Sequence, residues 1–128
     1  MRLLLDTHVL IWVTAEPDRI SKDVLRIIEG RDTELVFSAA SVWEVAIKRT
    51  LGREDFEVDP RLLRRGLMEN GYTELAITGA HAAAVDSLPP IHKDPFDRIL
   101  IAQALAESLM LLTADPVVAR YPGPIMSV

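Results

Sequence analysis

The chain has 128 residues, 49% of them apolar and 26% charged, with a net charge of −5 and no cysteine. That length and apolar content suit one compact domain with a real core, and the missing cysteine excludes disulfide frameworks and thiolate zinc sites. The negative balance argues against a broad basic face for nucleic acid, while leaving room for local contacts, a bound cation or a basic protein partner.

The opening "MRLLLD" reads as a buried strand ending at Asp6, followed by a helix over "THVLIWVTA" and a turn at "EPDR". "ISKDVLRIIEG" is helical, with Ser21 as cap and Gly30 as stop. "TELVFS" is a short strand. "SVWEVAIKRTLG" is a helix expected to start at Ser41, with Ser41 and Glu44 forming a capping box, and to stop at Gly52. "DPRLLRRGLMENG" is a helix with Pro60 near its start and Gly71 at its end. "YTELAI" is a strand and "TGAHAAAVDSL" helical. "PFDRILIAQALAES" is a helix apolar almost all round, hence buried. "LMLLT" is a strand, "DPVVARY" a helical turn and "IMSV" a last edge strand.

Strands and helices alternate, which predicts an α/β layered domain with a mostly parallel central sheet flanked by helices. No repeat, low-complexity tract or linker interrupts residues 1–128, so one domain is expected. No apolar run approaches the ~20 residues of a membrane span, and the N-terminus lacks the long apolar region of a secretory signal. A cytoplasmic location without membrane association is the expectation.

Ligand sites in parallel sheets form beyond the carboxyl ends of the strands, and four acids fall there: Asp6, Glu44, Asp97 and Asp115. Each has a structural reading as well. Glu44 fits the capping box and pairs with Lys48 one turn on. Asp115 precedes Pro116, and Asp94 precedes Pro95, as helix caps do; Arg98 is the expected partner of Asp94. Asp97 resists such treatment. At the third helical position it shares a face with Ile101, Ala104 and Leu105 and has no cation three or four residues ahead. A carboxylate against an apolar face must be paired or bind a cation. Together the four acids suit a hard divalent ion such as Mg²⁺ or Mn²⁺, which takes oxygen ligands.

Other nucleophile systems are missing: no Gly-rich phosphate loop, no GxSxG, and no metal-ligand spacing among His8, His81 and His92. His92 and Lys93 read as a solvated loop, with a phosphate contact as the alternative. Trp12 and Trp43 are expected in the core, with base stacking as the alternative.

"LLLDTHVLIW", "SAASVWEVAIK", "DPFDRILIAQA" and "LLTADPVVARY", in this order and spacing, resemble PIN-domain proteins, and among them the VapC toxins of type II toxin–antitoxin systems. The resemblance spans nearly the whole chain. It implies a PIN-like three-layer α/β domain and a metal-dependent endoribonuclease that hydrolyses RNA phosphodiester bonds by metal-activated water. It implies that Asp6 and Asp97 hold the first Mg²⁺ or Mn²⁺ and that Glu44 and Asp115 complete the pocket. Thr113 and Ser38 match supporting polar positions, and Asp94 belongs to the motif of this subgroup. A VapB-like antitoxin and a homodimer are the implied partners beside RNA.

RNA has to approach an acidic protein, so Lys48, Arg49 and Arg53, and then Arg61, Arg64 and Arg65, are read either as phosphate contacts or as solvated helix surface. Rival classes fit less well. A haloacid-dehalogenase-type phosphatase needs an acid two residues after Asp6, where His8 stands. A phospho-receiver domain needs adjacent acids after the first strand. A PIN-fold module that binds RNA or protein without cutting, and a PIN nuclease of RNA processing, remain as alternatives.

Overall fold

The computed structural model describes residues 1–128. β1 (Arg2–Leu5), β2 (Glu34–Ser38), β3 (Thr73–Leu75), β4 (Met110–Thr113) and β5 (Ile125–Ser127) form one sheet in the order β3-β2-β1-β4-β5. Every strand pair is parallel, so the expectation of a mostly parallel sheet is met in full. The helices are α1 (Thr7–Ala15), α2 (Lys22–Ile28), α3 (Ala39–Thr50), α4 (Pro60–Glu69), α5 (Gly79–Ala84) and α6 (Pro95–Glu107). Leucines alternate between the two faces of the sheet, as successive strand residues must. Leu3, Leu5, Phe37 and Leu112 pack with Val9 and Leu10 of α1, Val24 and Ile28 of α2, and Leu63 and Leu67 of α4. Leu4, Val36 and Leu111 pack on the opposite face with Leu100, Ile101 and Ala104 of α6. Helices thus cover both faces, giving three layers.

The chain leaves β1 toward β2 on one side, while β4 fills the other. The order therefore reverses at the β1–β4 seam, where a crevice opens at the carboxyl ends of the strands. Asp6 N–H donates to the Leu112 carbonyl at 2.9 Å across this seam.

Several local expectations are corrected. β2 runs into α3 with no loop, so Ser38, not Ser41, is the cap: its hydroxyl accepts the Ala40 N–H at 3.0 Å. Ser41 is buried inside α3, and the Ser41–Glu44 capping box does not form. A capping box does form at Thr78 and His81, at the head of α5. The helical stretch after Thr78 breaks into the short α5 and a 3₁₀ turn at Val85–Ser87. Trp43 is 58% exposed rather than in the core, lying edge-on to Phe96 with ring centroids 5.1 Å apart. Trp12 is half-buried under the Arg19 guanidinium. α6 is buried along Leu100–Ala104, but Leu105 is exposed.

Candidate active site

Asp6 ends β1 and caps α1. Its Oδ1 accepts the Val9 N–H at 3.0 Å. Its Oδ2 accepts the Thr113 hydroxyl at 2.5 Å and the Ala114 N–H at 3.1 Å. Thr113 Oγ1 in turn accepts the Asp115 N–H at 3.0 Å. One buried carboxylate therefore ties β1, α1 and the end of β4 together. Burial pushes the Asp6 carboxyl above its ordinary value, against the hydrogen bonds from Thr113, Val9 and Ala114 that favour the ionised form.

Glu44 projects inward from α3, one turn and a half past the loop-free junction that Ser38 caps. Its side chain is 3% exposed. Thr7 donates its hydroxyl to Oε1 and lies 3.0 Å from Ser41 Oγ. Lys48 Nζ donates to Glu44 Oε2 at 2.5 Å and to Asp94 Oδ2 at 3.2 Å. Burial of Lys48 lowers its pKa, but the bonds and charges of Glu44 and Asp94 outweigh this and hold it above the usual ammonium value.

Asp94 caps α6 through Oδ1, which accepts the N–H groups of Phe96 and Asp97. Its Oδ1 serves the helix and its Oδ2 serves Lys48. The expected Asp94–Arg98 pair is absent, and Arg98 donates instead to the carbonyls of Pro89 and Val85 and to Tyr121 Oη.

Asp97 sits in the first turn of α6, half-buried in the same crevice. Burial, then the charges of Asp94 and Glu44, push its carboxyl up to about 7; His92 opposes the rise and Asp6 adds to it. Asp115, just past β4, behaves oppositely. Burial raises its pKa, but the His92 hydrogen bond and the Val117 N–H outweigh that and leave it below the ordinary range. Two acids on one imidazole are thus driven apart by their surroundings, a pattern seen where carboxylates do chemistry.

The crevice brings all four predicted acids together, from four segments of the chain. Asp6 has both oxygens engaged by protein hydrogens, whereas Asp97 feels the charges of Asp94, Glu44 and Asp6 and has His92 as its close partner. A divalent cation beside Asp6 and Asp97 would offset that charge, and all-oxygen carboxylate donors suit Mg²⁺ or Mn²⁺. The donor set therefore fits the implied ion.

Thr113 and Ser38 are both fully buried, at the ends of β4 and β2. Lys48 lies within the acid cluster as its internal counter-charge. Arg49 and Arg53 lie outside it, 3.7 Å from Asp59 and 3.4 Å from Asp55. Arg64 is held by Glu74. Two site residues escaped the sequence reading: Thr7, which orients Glu44, and His92. His92 is not in a solvated loop; its Nε2 lies 2.8 Å from Asp115 Oδ2 and 3.1 Å from Asp97 Oδ2. The signal was the spacing "HKD": His92 Nδ1 accepts the N–H of Asp94, the helix cap two residues on, which turns the ring into the crevice.

An all-parallel sheet in this order, with acids at the carboxyl ends of its central strands, defines the class. The PIN domain family model matches residues 3–124, and the chain belongs to the PIN-domain family. Within it, the chain is 33% identical over 126 residues to Ribonuclease VapC22 of Mycobacterium tuberculosis, covering 96% of this chain and 95% of that one. Two solved structures share the fold at low identity. VapBC2 from Rickettsia felis, bound to a DNA fragment of its promoter, aligns with a TM-score of 0.75 at 13% identity, covering 100% of this chain and 99% of that one. A toxin–antitoxin complex from Klebsiella pneumoniae aligns with a TM-score of 0.62 at 16% identity, covering 97% and 95%.

Proposed function

We propose that this domain is a divalent-metal-dependent endoribonuclease and the toxin of a type II toxin–antitoxin system. The observation that carries the proposal is the crevice itself. Asp6, Glu44, Asp97 and Asp115 meet at the switch point of the sheet, and burial, then the charges of Asp94 and Glu44, push the Asp97 carboxyl up to about 7. Identity to a ribonuclease along nearly the whole chain supports RNA as the substrate.

Asp6 and Asp97 are the residues that would hold Mg²⁺ or Mn²⁺, with Glu44 and Asp115 completing the pocket around them. When bound, the ion activates water and neutralises charge as a phosphodiester P–O bond is displaced in line. The protein's own part is positioning. Thr113 and Ala114 fix one oxygen of Asp6 while Val9 fixes the other. Thr7 and Lys48 hold Glu44 in one rotamer. No side-chain nucleophile is required. Arg49 and Arg53, outside the acid cluster, contact RNA phosphates without reading sequence; Lys48, committed to Glu44 and Asp94, reaches phosphate only from inside the crevice.

The toxin reading brings a VapB-like antitoxin, a homodimer and action in the cytoplasm. No helix is long and apolar enough to cross a membrane.

The test is incubation of total cellular RNA with purified, antitoxin-free protein and Mg²⁺ or Mn²⁺, beside EDTA and Asp97→Asn controls. Discrete fragments that vanish in both controls are expected. Folded, metal-loaded protein that leaves RNA intact would overturn the nuclease and favour a binding module.

A further inference from the structure

His92 touches two of the four acids, yet the mechanism above gives it no part. Its ring is fixed from several directions. The backbone N–H of His92 donates to Tyr121 Oη at 2.7 Å, and Arg98 holds that hydroxyl at 3.1 Å. Nδ1 accepts the Asp94 N–H at 3.0 Å. Nε2 donates to Asp115 Oδ2 at 2.8 Å, with Asp97 Oδ2 at 3.1 Å from the same nitrogen.

His92, Asp97 and Asp115 offer donor atoms within 4.8 Å of one another, the outline of a His-carboxylate metal site. The hydrogen-bond network argues otherwise. Nδ1 faces a backbone N–H and must present its lone pair there, so the ring hydrogen sits on Nε2. A nitrogen that carries a hydrogen has no lone pair for a metal. For Nε2 to become a ligand, the hydrogen would have to move to Nδ1, against the Asp94 N–H. Moving the ring would also break the tie that runs from Asp94 into the cap of α6.

We propose that His92 is a positioning residue whose Nε2–H spans Asp97 and Asp115, occupies the place of a second cation, and limits this pocket to one divalent ion. The proposal rests on the metal-dependent reading given above. Asp115 then serves by holding the imidazole, and through it Asp97, rather than by ligating an ion of its own. A fixed donor at this point is always present, whereas a second ion would have to be captured from solution.

Two substitutions separate the two ring nitrogens. In His92→Asn the side-chain carbonyl reaches the Nδ1 position and keeps the Asp94 N–H satisfied, but nothing reaches Asp97 and Asp115. In His92→Gln the amide nitrogen reaches the Nε2 position and restores the donor. The experiment is Mn²⁺ binding to the purified, antitoxin-free chain, read as ions per protomer by titration calorimetry and by loss of the free-Mn²⁺ EPR signal, with circular dichroism as the fold control. One ion is expected for the natural chain and for His92→Gln, and two for His92→Asn. Two ions in the natural chain, or one in all three folded proteins, overturns the assignment of His92 while leaving the metal site standing. A drop in His92→Asn below the natural chain makes His92 a ligand and overturns it too. No Mn²⁺ bound by the natural chain overturns the metal-dependent reading and this inference with it.

Discussion

Replacing Asp97 by asparagine removes a charge that the ion-free protein carries at a cost. The carboxyl is pushed from an ordinary 3.8 to about 7, first by burial and then by Asp94 and Glu44. An acid whose pKa is raised on folding binds its proton more tightly in the folded state. Its contribution is whole below the unfolded pKa and is lost as pH climbs from there through the folded pKa. At about 1.4 kcal/mol per pH unit, the loss is about 1.5 kcal/mol at pH 5 and about 4 kcal/mol at pH 8. Asparagine is nearly isosteric and exchanges the charged contact with His92 for a neutral one, a loss of about 1 kcal/mol. In EDTA, Asp97→Asn is therefore expected to be more stable than the natural chain by about 3 kcal/mol at pH 8 and about 0.5 kcal/mol at pH 5. Urea unfolding at the two pH values, fitted with a common slope, measures both gaps. Added Mn²⁺ should narrow or reverse the gap at pH 8, because only the natural chain gains binding free energy. A variant no more stable than the natural chain at pH 8, or a gap that fails to widen from pH 5, would refute the claim that Asp97 is held ionised against its surroundings.

Lys48→Met leaves Glu44 buried without its cation and should cost about 3–5 kcal/mol in urea unfolding, much of it recovered by adding Glu44→Gln. Thr113→Val keeps the shape but removes the hydroxyl that serves both Asp6 and the Asp115 N–H. A loss of about 2–4 kcal/mol is expected, together with weaker Mn²⁺ binding, since Asp6 loses its main support for ionisation. Phe56 is fully buried beneath His8, with Lys48 and Arg53 lying over its ring. Phe56→Ala should lower stability by about 3–5 kcal/mol, read as a shift of the thermal midpoint.

Much of this site was legible because strand ends are legible. Asp6 and Asp115 follow short apolar runs closely enough to lie at the carboxyl edge of any parallel sheet. Asp97 showed itself as an acid on an otherwise apolar helical face. Ser41 misled because S-x-x-E imitates a capping box. Nothing in the local sequence says that the preceding strand enters the helix without a loop, which moves the cap back to Ser38. The exposure of Trp43 was within reach of helical periodicity, since Ala40, Ser41, Glu44 and Val45 share the buried face and position 43 does not. Thr7 and His92 were missed for another reason. Thr7 acts through Glu44, 37 positions away, which no local pattern encodes; the HKD spacing aims the His92 ring, but its partner Asp115 lies 23 positions on.

Both outer strands, β3 and β5, are only three residues long. A sheet edge recruits foreign backbone in proportion to the row of unpaired amides and carbonyls it displays, and three residues display little. Strand addition by an extended peptide is therefore disfavoured on both flanks. The helical faces and the mouth of the crevice then offer a partner more surface than the sheet edges do. Crowding of many copies should likewise not seed cross-strand aggregation from the native state. The same short edges leave the carboxyl end of the sheet as the principal place where irregular backbone and charged side chains stand open to a ligand.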